Sequence, residues 1–314
     1  MSVTLRIGSR PSKLALIQAG MVRDAIVAAL PDLNCEIIAI KTSGDKNLSP
    51  SLADIGGKGL FIKELEQALI QRRINIAVHS MKDLPAALAP AFRIVATPKR
   101  ENPHDALITR DGAAIKSLRK GAKLGTSSPR RRFEALRVNP ALDVMPLRGN
   151  VDTRVAKVAS GELDACILAM AGLVRLGKTG DIKFQELDER EFVPAAAQAA
   201  LAVEALAETT ICGSDEVETA VAAINDSTTA LETAAERAFL ASIHASCTTP
   251  VGVKATLANQ TLTLRTLLFS ADGSREMADE IAEPAGDVQG AIAIGARLGT
   301  RMLTRGARDL LGDG

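Results

Sequence analysis

Short apolar runs and stretches with helical spacing take turns along the first two-thirds of the chain. Residues 3–7 (Val-Thr-Leu-Arg-Ile) predict a strand. After Gly8-Ser9-Arg10-Pro11-Ser12 a helix follows, with Leu14, Ile17, Met21, Ala25 and Leu30 on one face. Ser12 suits the N-cap, where its hydroxyl can accept an orphan backbone N–H, and Pro11 stands just outside. Residues 35–41 predict a second strand. Residues 42–59 are rich in Gly, Ser, Asp and Lys and are expected to stay out of any core. Helix 60–72 and strand 74–78 follow. The polar, proline-bounded segment 98–103 reads as a linker. Beyond it come strands 106–109 and 123–125, helix 129–138, strand 142–147, helix 151–160 and strand 164–169. Such alternation predicts largely parallel sheets with helices on both faces, hence two α/β domains facing each other across a cleft.

The last hundred residues change period. A helix at 232–243 leads into a loop holding Cys247, then strands 251–258 and 261–269 joined at Asn259-Gln260. A turn at Asp272-Gly273, a third strand and a closing helix at 288–304 complete an α+β domain with a small antiparallel sheet. The tail Gly312-Asp313-Gly314 is expected to fray.

Composition acts mainly by exclusion. Lys plus Arg number 38 and Asp plus Glu 37, so no basic field points to nucleic acid. Trp and Tyr are absent and Phe numbers seven, which leaves little for base stacking. No apolar run is long enough to span a bilayer, and the chain opens on a strand-like segment instead of an export signal, so a cytoplasmic protein is expected. The four cysteines, at 35, 166, 212 and 247, lack the spacing of a metal site and the density of a disulfide scaffold. Cys35 and Cys166 lie in strand-like runs and read as small buried hydrophobes.

The chemistry gathers at strand ends. Gly125-Thr126-Ser127-Ser128-Pro129-Arg130-Arg131-Arg132 follows a strand and opens a helix, whose first turn offers free N–H donors. Arginines there oppose the helix dipole, a cost that makes sense if an anion binds among them. The arginine fork suits a planar carboxylate. Leu147-Arg148-Gly149-Asn150-Val151-Asp152-Thr153-Arg154 repeats the pattern, and Arg175 follows another strand end. Val78-His79-Ser80-Met81-Lys82-Asp83-Leu84-Pro85 places Asp83 where a carboxylate could accept ring N–H groups or steady a cation, with Lys82 as a carboxylate partner. His79 reads as a structural histidine on a packed strand, and His104 and His244 likewise. Gly56-Gly57-Lys58-Gly59 lacks the phosphate-loop spacing. It reads better as a lid hinging into a helix, with Lys58 toward ligand and Lys63, Glu64 and Glu66 on the solvated face. The run His244-Ala245-Ser246-Cys247-Thr248-Thr249-Pro250 carries no second thiol or catalytic base, so Cys247 reads as neither a protease nucleophile nor half of a disulfide.

These motifs, in this order and from end to end of the chain, resemble the porphobilinogen deaminase (hydroxymethylbilane synthase) family. The resemblance implies two periplasmic-binding-protein-like α/β domains, at 1–98 plus 199–216 and at 103–193. A C-terminal α+β domain at 220–314 would carry the cofactor cysteine. It implies a monomeric cytoplasmic transferase of porphyrin and heme biosynthesis with no nucleic-acid or membrane partner. Four porphobilinogens would condense in turn on a dipyrromethane bound through Cys247, and hydrolysis would release linear hydroxymethylbilane. By the same analogy Asp83 is catalytic and contacts pyrrole nitrogens. Lys58, Lys82, Ser128, Arg130 and Arg131 would hold the cofactor, and Arg10, Ser12, Arg148, Arg154, Arg175 and Gln198 the substrate and the growing polypyrrole chain. No metal is implied. Two departures stand out: Ala245-Ser246 precede Cys247 where the family often has two glycines, and Ala197-Gln198-Ala199 replaces a usual Gly-Gln-Gly. If those glycines need positive φ, this backbone must differ locally or carry strain. The competing class is a non-enzymatic polycarboxylate-binding protein, which would need no anchor cysteine.

Overall fold

The computed structural model describes residues 3–42, 62–246 and 248–311. The polar stretch 43–59 with Lys58, the cofactor-cysteine candidate Cys247 and the tail 312–314 lie outside the described residues. The chain divides into two separately organised units, Met1–Glu101 with Ala200–Leu231, and Asn102–Ala199 with Glu232–Gly314.

In the first unit β1 (Thr4–Ser9) pairs in parallel with β2 (Asn34–Ala39) and β3 (Ile76–Ser80). β4 (Phe92–Ala96) forms an edge, and β10 (Leu201–Leu206) lies antiparallel between β3 and β4. Leu5, Ile7, Ile76, Val78 and Val203 project from this sheet into one core, each stabilising the fold by roughly 1.5–3 kcal/mol through burial. Helix α1 (Lys13–Ala29) closes that core with Ala19, Val22 and Ile26. Its inward face differs from the expected one: Met21 is 44% exposed, while Gln18 turns inward and donates to Ser80 Oγ at 2.9 Å. A polar residue on the buried face hides the true apolar stripe from a hydrophobicity count. Helix α2 (Lys63–Ile70) buries Leu65, Ala68 and Leu69.

The second unit has the sheet order β7-β6-β8-β5-β9, with β5 (Asp105–Thr109), β6 (Lys123–Gly125), β7 (Asp143–Met145), β8 (Ala165–Ala169) and β9 (Phe184–Glu186). Helices α3 (Pro129–Val138), α4 (Val151–Ala159) and α5 (Met170–Arg175) start at the carboxyl ends of β6, β7 and β8. Both sheets are mixed: in each, four of the five strands run the same way and one runs against its neighbours, β10 against β3 and β4, and β5 against β8 and β9. β10 joins its sheet only after the chain has passed through 102–199, so no short crossover imposes a parallel direction. The architecture is two five-stranded sheets, each with its helices, plus a small three-stranded antiparallel sheet.

That three-stranded sheet, β11 (Val251–Ala258), β12 (Thr261–Phe269) and β13 (Glu276–Pro284), belongs to the second unit. α6 (Asp215–Ala223) belongs to the first unit, where it packs beside α1. Helix α7 (Ser227–Ser242) leads toward the cysteine loop and packs against α8 (Val288–Met302). At Gly295 a Cβ would sit 2.2 Å from the Ala235 carbonyl oxygen, so only glycine allows this approach of α7 and α8.

Candidate active site

At the end of β3 the chain turns through a 3₁₀ segment, Met81–Asp83. Met81 is a buried peg whose N–H donates to Ala200 O at 3.0 Å, and Leu84 N–H closes the turn on Met81 O. This holds Asp83 beside the end of β1, where Arg10 and Ser12 stand. Arg10, Ser12, Gln18, His79 and Asp83 line one cavity of about 100 Å³. Ser12 is the N-cap of α1, its hydroxyl accepting from Ala15 N–H at 3.4 Å. Among the described residues Asp83 has no hydrogen-bond or ion-pair partner, so its carboxylate is open to the cavity. Lys82 is half-buried next to it. Behind the cavity His79 Nε2 lies 2.9 Å from Glu204 Oε2 across the β3–β10 pairing, with both side chains almost fully buried. Glu66 is not simply a solvated residue: burial raises its carboxyl above the usual range, the Glu204 charge adds to this, and His79 offsets part of it.

In the second unit Ser128 caps α3 and accepts from Arg131 N–H at 3.4 Å, with Pro129 in the first turn, as the sequence suggested. Arg130 and Arg131, however, do not present bare forks. Arg130 is 4% exposed; its Nη2 lies 2.8 Å from Asp105 Oδ2, and its Nη1 donates to Glu134 Oε2 at 2.7 Å and to Val193 O at 2.9 Å. Arg131 donates to Asp105 Oδ1 at 2.6 Å and to Ile167 O at 3.1 Å. Gln198 is fully buried and donates to the same Oδ1 at 2.9 Å and to Pro103 O at 2.6 Å. Burial alone would raise the Asp105 pKa, but Arg130 and Arg131 overcome it and hold it well below the usual carboxylate range. Glu134 moves the other way, pushed up to about 8 by burial, with the Asp105 charge outweighing part of the attraction to Arg130.

The other arginines are less committed. Arg154 donates to Gly149 O at 2.8 Å, and burial and then the nearby Arg131 charge pull its pKa below the usual arginine value. Arg148 is exposed, and among the described residues neither Arg148 nor Arg154 has a carboxylate partner. Arg175 donates to Ala199 O at 2.6 Å.

Segment 193–199 is tied to the three-stranded sheet. Val253 N–H donates to Pro194 O at 2.8 Å, and a Cβ on Gly252 would meet Val193 O at 2.4 Å. Glu236 of α7 accepts from Ala197 N–H at 2.5 Å and from Ala255 N–H at 2.8 Å. Ala197 and Ala199 take φ of 55° and 71°, the left-handed region that glycine adopts freely. Helix α7 ends with His244 at φ 52°, its N–H bonded to Ala241 O and that of Ala245 to Leu240 O, a Schellman pattern with histidine in the glycine position. Ser246 N–H then donates to Thr249 Oγ1 at 2.9 Å, closing the loop that flanks Cys247 in sequence. Burial raises the other three thiols, Cys166 to about 12 and Cys35 and Cys212 in the same direction, so none of them is poised as a thiolate. Among the described residues no group of His, Cys, Asp and Glu could hold a metal ion, and no helix is long and apolar enough to cross a membrane.

The residues missed from sequence are buried carboxylates: Asp105, Glu134, Glu204 and Glu236. Each is an acid within a mostly apolar or helical stretch, as in Leu201-Ala202-Val203-Glu204-Ala205-Leu206. An isolated acid in such a run demands a buried partner, and that was the available signal.

Residues 5–212 match the family model described as porphobilinogen deaminase, dipyromethane cofactor binding domain, and residues 230–304 match porphobilinogen deaminase, C-terminal domain. Porphobilinogen deaminase of Trichlorobacter lovleyi is 41% identical over 311 residues, covering 98% of this chain and 96% of that protein. The Sorangium cellulosum protein of the same name is 43% identical over 303 residues, covering 96% and 99%. Among solved structures, a probable amino-acid ABC transporter extracellular-binding protein of Bacillus subtilis superposes with a TM-score of 0.42 at 13% identity, over 71% of this chain and 92% of that one. That likeness is too loose to argue from.

Proposed function

The chain belongs to the porphobilinogen deaminase family, and from that premise we propose how its residues act as the transferase of tetrapyrrole synthesis. The reaction deaminates four porphobilinogens in turn, couples them on a covalently held dipyrromethane and releases hydroxymethylbilane by hydrolysis. The observation that carries the reading is the cavity that sets the unpartnered Asp83 carboxylate beside Arg10 and Ser12.

A dipyrromethane bears several carboxylates, and the residues present fit such a group. Arg148 and Arg154 lack carboxylate partners among the described residues, and Arg154 is held near the like charge of Arg131. Arginines that lack a carboxylate of their own favour an anionic ligand. The cofactor, when bound, supplies the pyrrole on which the product chain grows.

Asp83 accepts pyrrole N–H groups and stabilises positive charge that develops as the aminomethyl group departs as ammonia. Arg10, Ser12 and Lys82 bind acetate and propionate arms in the first unit. Ser128, Arg131, Arg148, Arg154 and Arg175 do so in the second, through charged and bidentate hydrogen bonds. Arg130 and Gln198 act one step back, fixing Asp105 and through it Arg131. Lys58 reaches ligand from its Gly-rich segment, and Cys247 holds the dipyrromethane as a thioether. The elevated pKa values of Cys35, Cys166 and Cys212 favour that choice of anchor. The protein works as a cytoplasmic monomer without nucleic-acid or membrane partners, in three domains at 1–98 plus 199–216, 103–193 and 220–314.

Intact-protein mass spectrometry tests this reading. A stable excess of two pyrrole units, together with hydroxymethylbilane formed from porphobilinogen, supports it. The bare chain mass with reversible porphobilinogen binding and no product points to a polycarboxylate-binding protein.

A further inference from the structure

His79 and Glu204 are drawn into the fold more deeply than a packing role requires. His79 is among the residues that line the same cavity as Asp83 and Arg10. Its Nε2 is 2.9 Å from Glu204 Oε2, and the Glu204 side chain has no exposed surface. The second carboxylate oxygen, Glu204 Oε1, is buried without a hydrogen-bond partner, so the His79 contact meets this acid's polar demand alone. Nδ1, the other ring nitrogen, has no partner among the described residues. The register Ala202↔His79 and Val203↔Val78 fixes both side chains on adjacent antiparallel strands. A ring whose Nε2–H points at a buried carboxylate keeps Nδ1 as an acceptor, the relation that orients histidine in acyl-transfer triads.

We propose that His79 accepts, at Nδ1, the proton released when two pyrroles are joined, with Glu204 as the positioning residue that holds the ring. This rests on the deaminase reading of the Asp83 cavity. In each coupling the aminomethyl C–N bond breaks and ammonia leaves with its electron pair. A C–C bond forms to the α-carbon of the second pyrrole. The α-hydrogen of that pyrrole departs as a proton, and its bonding pair returns to the ring. His79 takes that proton and passes it to the departing ammonia, so the net products are the coupled pyrroles and ammonium. No oxidant or reductant is needed.

The test uses the cofactor-loaded protein. His79→Gln is expected to keep its cofactor mass and a KM within about threefold of the parent while kcat falls by about 10²-fold or more, the range for loss of one general base. Added imidazole is expected to restore at least about tenfold of the activity lost in His79→Ala, a gain that no packing role predicts. Nitrogen-15 NMR of histidine-labelled protein is expected to show His79 as the Nε2–H tautomer, and Glu204→Gln to shift that resonance. A His79→Gln variant with kcat within threefold of the parent, or a folded, loaded His79→Ala that imidazole leaves unchanged, overturns the assignment. If these variants do not fold, the tautomer in the unaltered chain decides, and a proton on Nδ1 overturns it. An unaltered chain that makes no hydroxymethylbilane defeats the deaminase reading itself, and this inference with it.

Discussion

Asp105→Asn is the sharpest perturbation of the second unit. Asp105 is fully buried, and its two oxygens meet Arg130 at 2.8 Å, Arg131 at 2.6 Å and Gln198 at 2.9 Å. Asparagine keeps the shape but removes the charge, and its NH2 group must face donors on at least one side. Two buried guanidiniums are then left with Glu134 as their carboxylate, and loss of the Asp105 charge, one of the causes that raise the Glu134 pKa, lets that pKa fall. Removing one partner of a buried ion pair costs about 3–5 kcal/mol. At about 2–4 °C per kcal/mol for a body of this size, Tm should fall by roughly 6–20 °C at pH 7. The sign with pH is fixed. The folded-state pKa of Asp105 lies below its unfolded value, so its contribution is present above about pH 4 and is lost as pH falls through the folded value. The gap between parent and variant should therefore close in acid. Calorimetric melts of both proteins from pH 7 down to pH 3 should show the gap begin to narrow once pH falls below about 4. A Tm within 2 °C of the parent at pH 7 refutes the reasoning and makes the Arg130 and Arg131 pairs energetically idle.

Glu134→Gln should act in the opposite sense. The folded pKa of Glu134 is raised to about 8, so its contribution is complete below the unfolded value and is lost as pH rises through 8. The parent should lose up to about 1.4 kcal/mol per pH unit in that window, and the variant should melt with a flatter pH profile. Cys247→Ala should give a folded protein lacking both cofactor mass and activity, whereas Cys166→Ala should retain both, as mass spectrometry and a product assay will show. Asp83→Asn should keep its cofactor but lose turnover by about 10²–10³-fold, because the shape survives and the charge does not; near-parental kcat returns Asp83 to a structural role. Ala199→Val should destabilise by about 3 kcal/mol or more in thermal melts, since a β-branched residue at φ 71° in a buried site is both strained and overpacked.

Much of the fold was legible because strand and helix periods are strong where one face is buried. Strands Val251–Ala258 and Thr261–Phe269 and helix Pro129–Val138 fall where the pattern put them. β10 was not legible: Leu-Ala-Val-Glu-Ala-Leu has helix-forming residues, no alternation and one acid, and it is a strand because β3 and β4 supply partners on both sides. The positions of the arginines were legible, but their partners were not. A sequence shows that Arg130 opens a helix, and it cannot show that Asp105, 25 residues earlier, reaches the same point through β5. Arg130 looked like a ligand fork for that reason, and it is instead the internal counter-charge of a buried acid.

The two alanines show how a departure from family pattern can be absorbed. An L-residue in the left-handed region costs roughly 1–2 kcal/mol relative to its ordinary conformations. Ala197 and Ala199 are 1% and 6% exposed, so each buries a methyl group that glycine would lack, a gain of about 0.8 kcal/mol. Alanine also has fewer unfolded conformations to lose than glycine, a further 0.4–1 kcal/mol or so. These terms nearly cancel the strain, and the local bonds do the rest: Glu236 holds the Ala197 N–H, and Arg175 donates to Ala199 O. Gln198 between them is therefore delivered to Asp105 without glycine on either side. The backbone conformation belongs to the site, and the residue that adopts it can change as long as its methyl group finds a buried place.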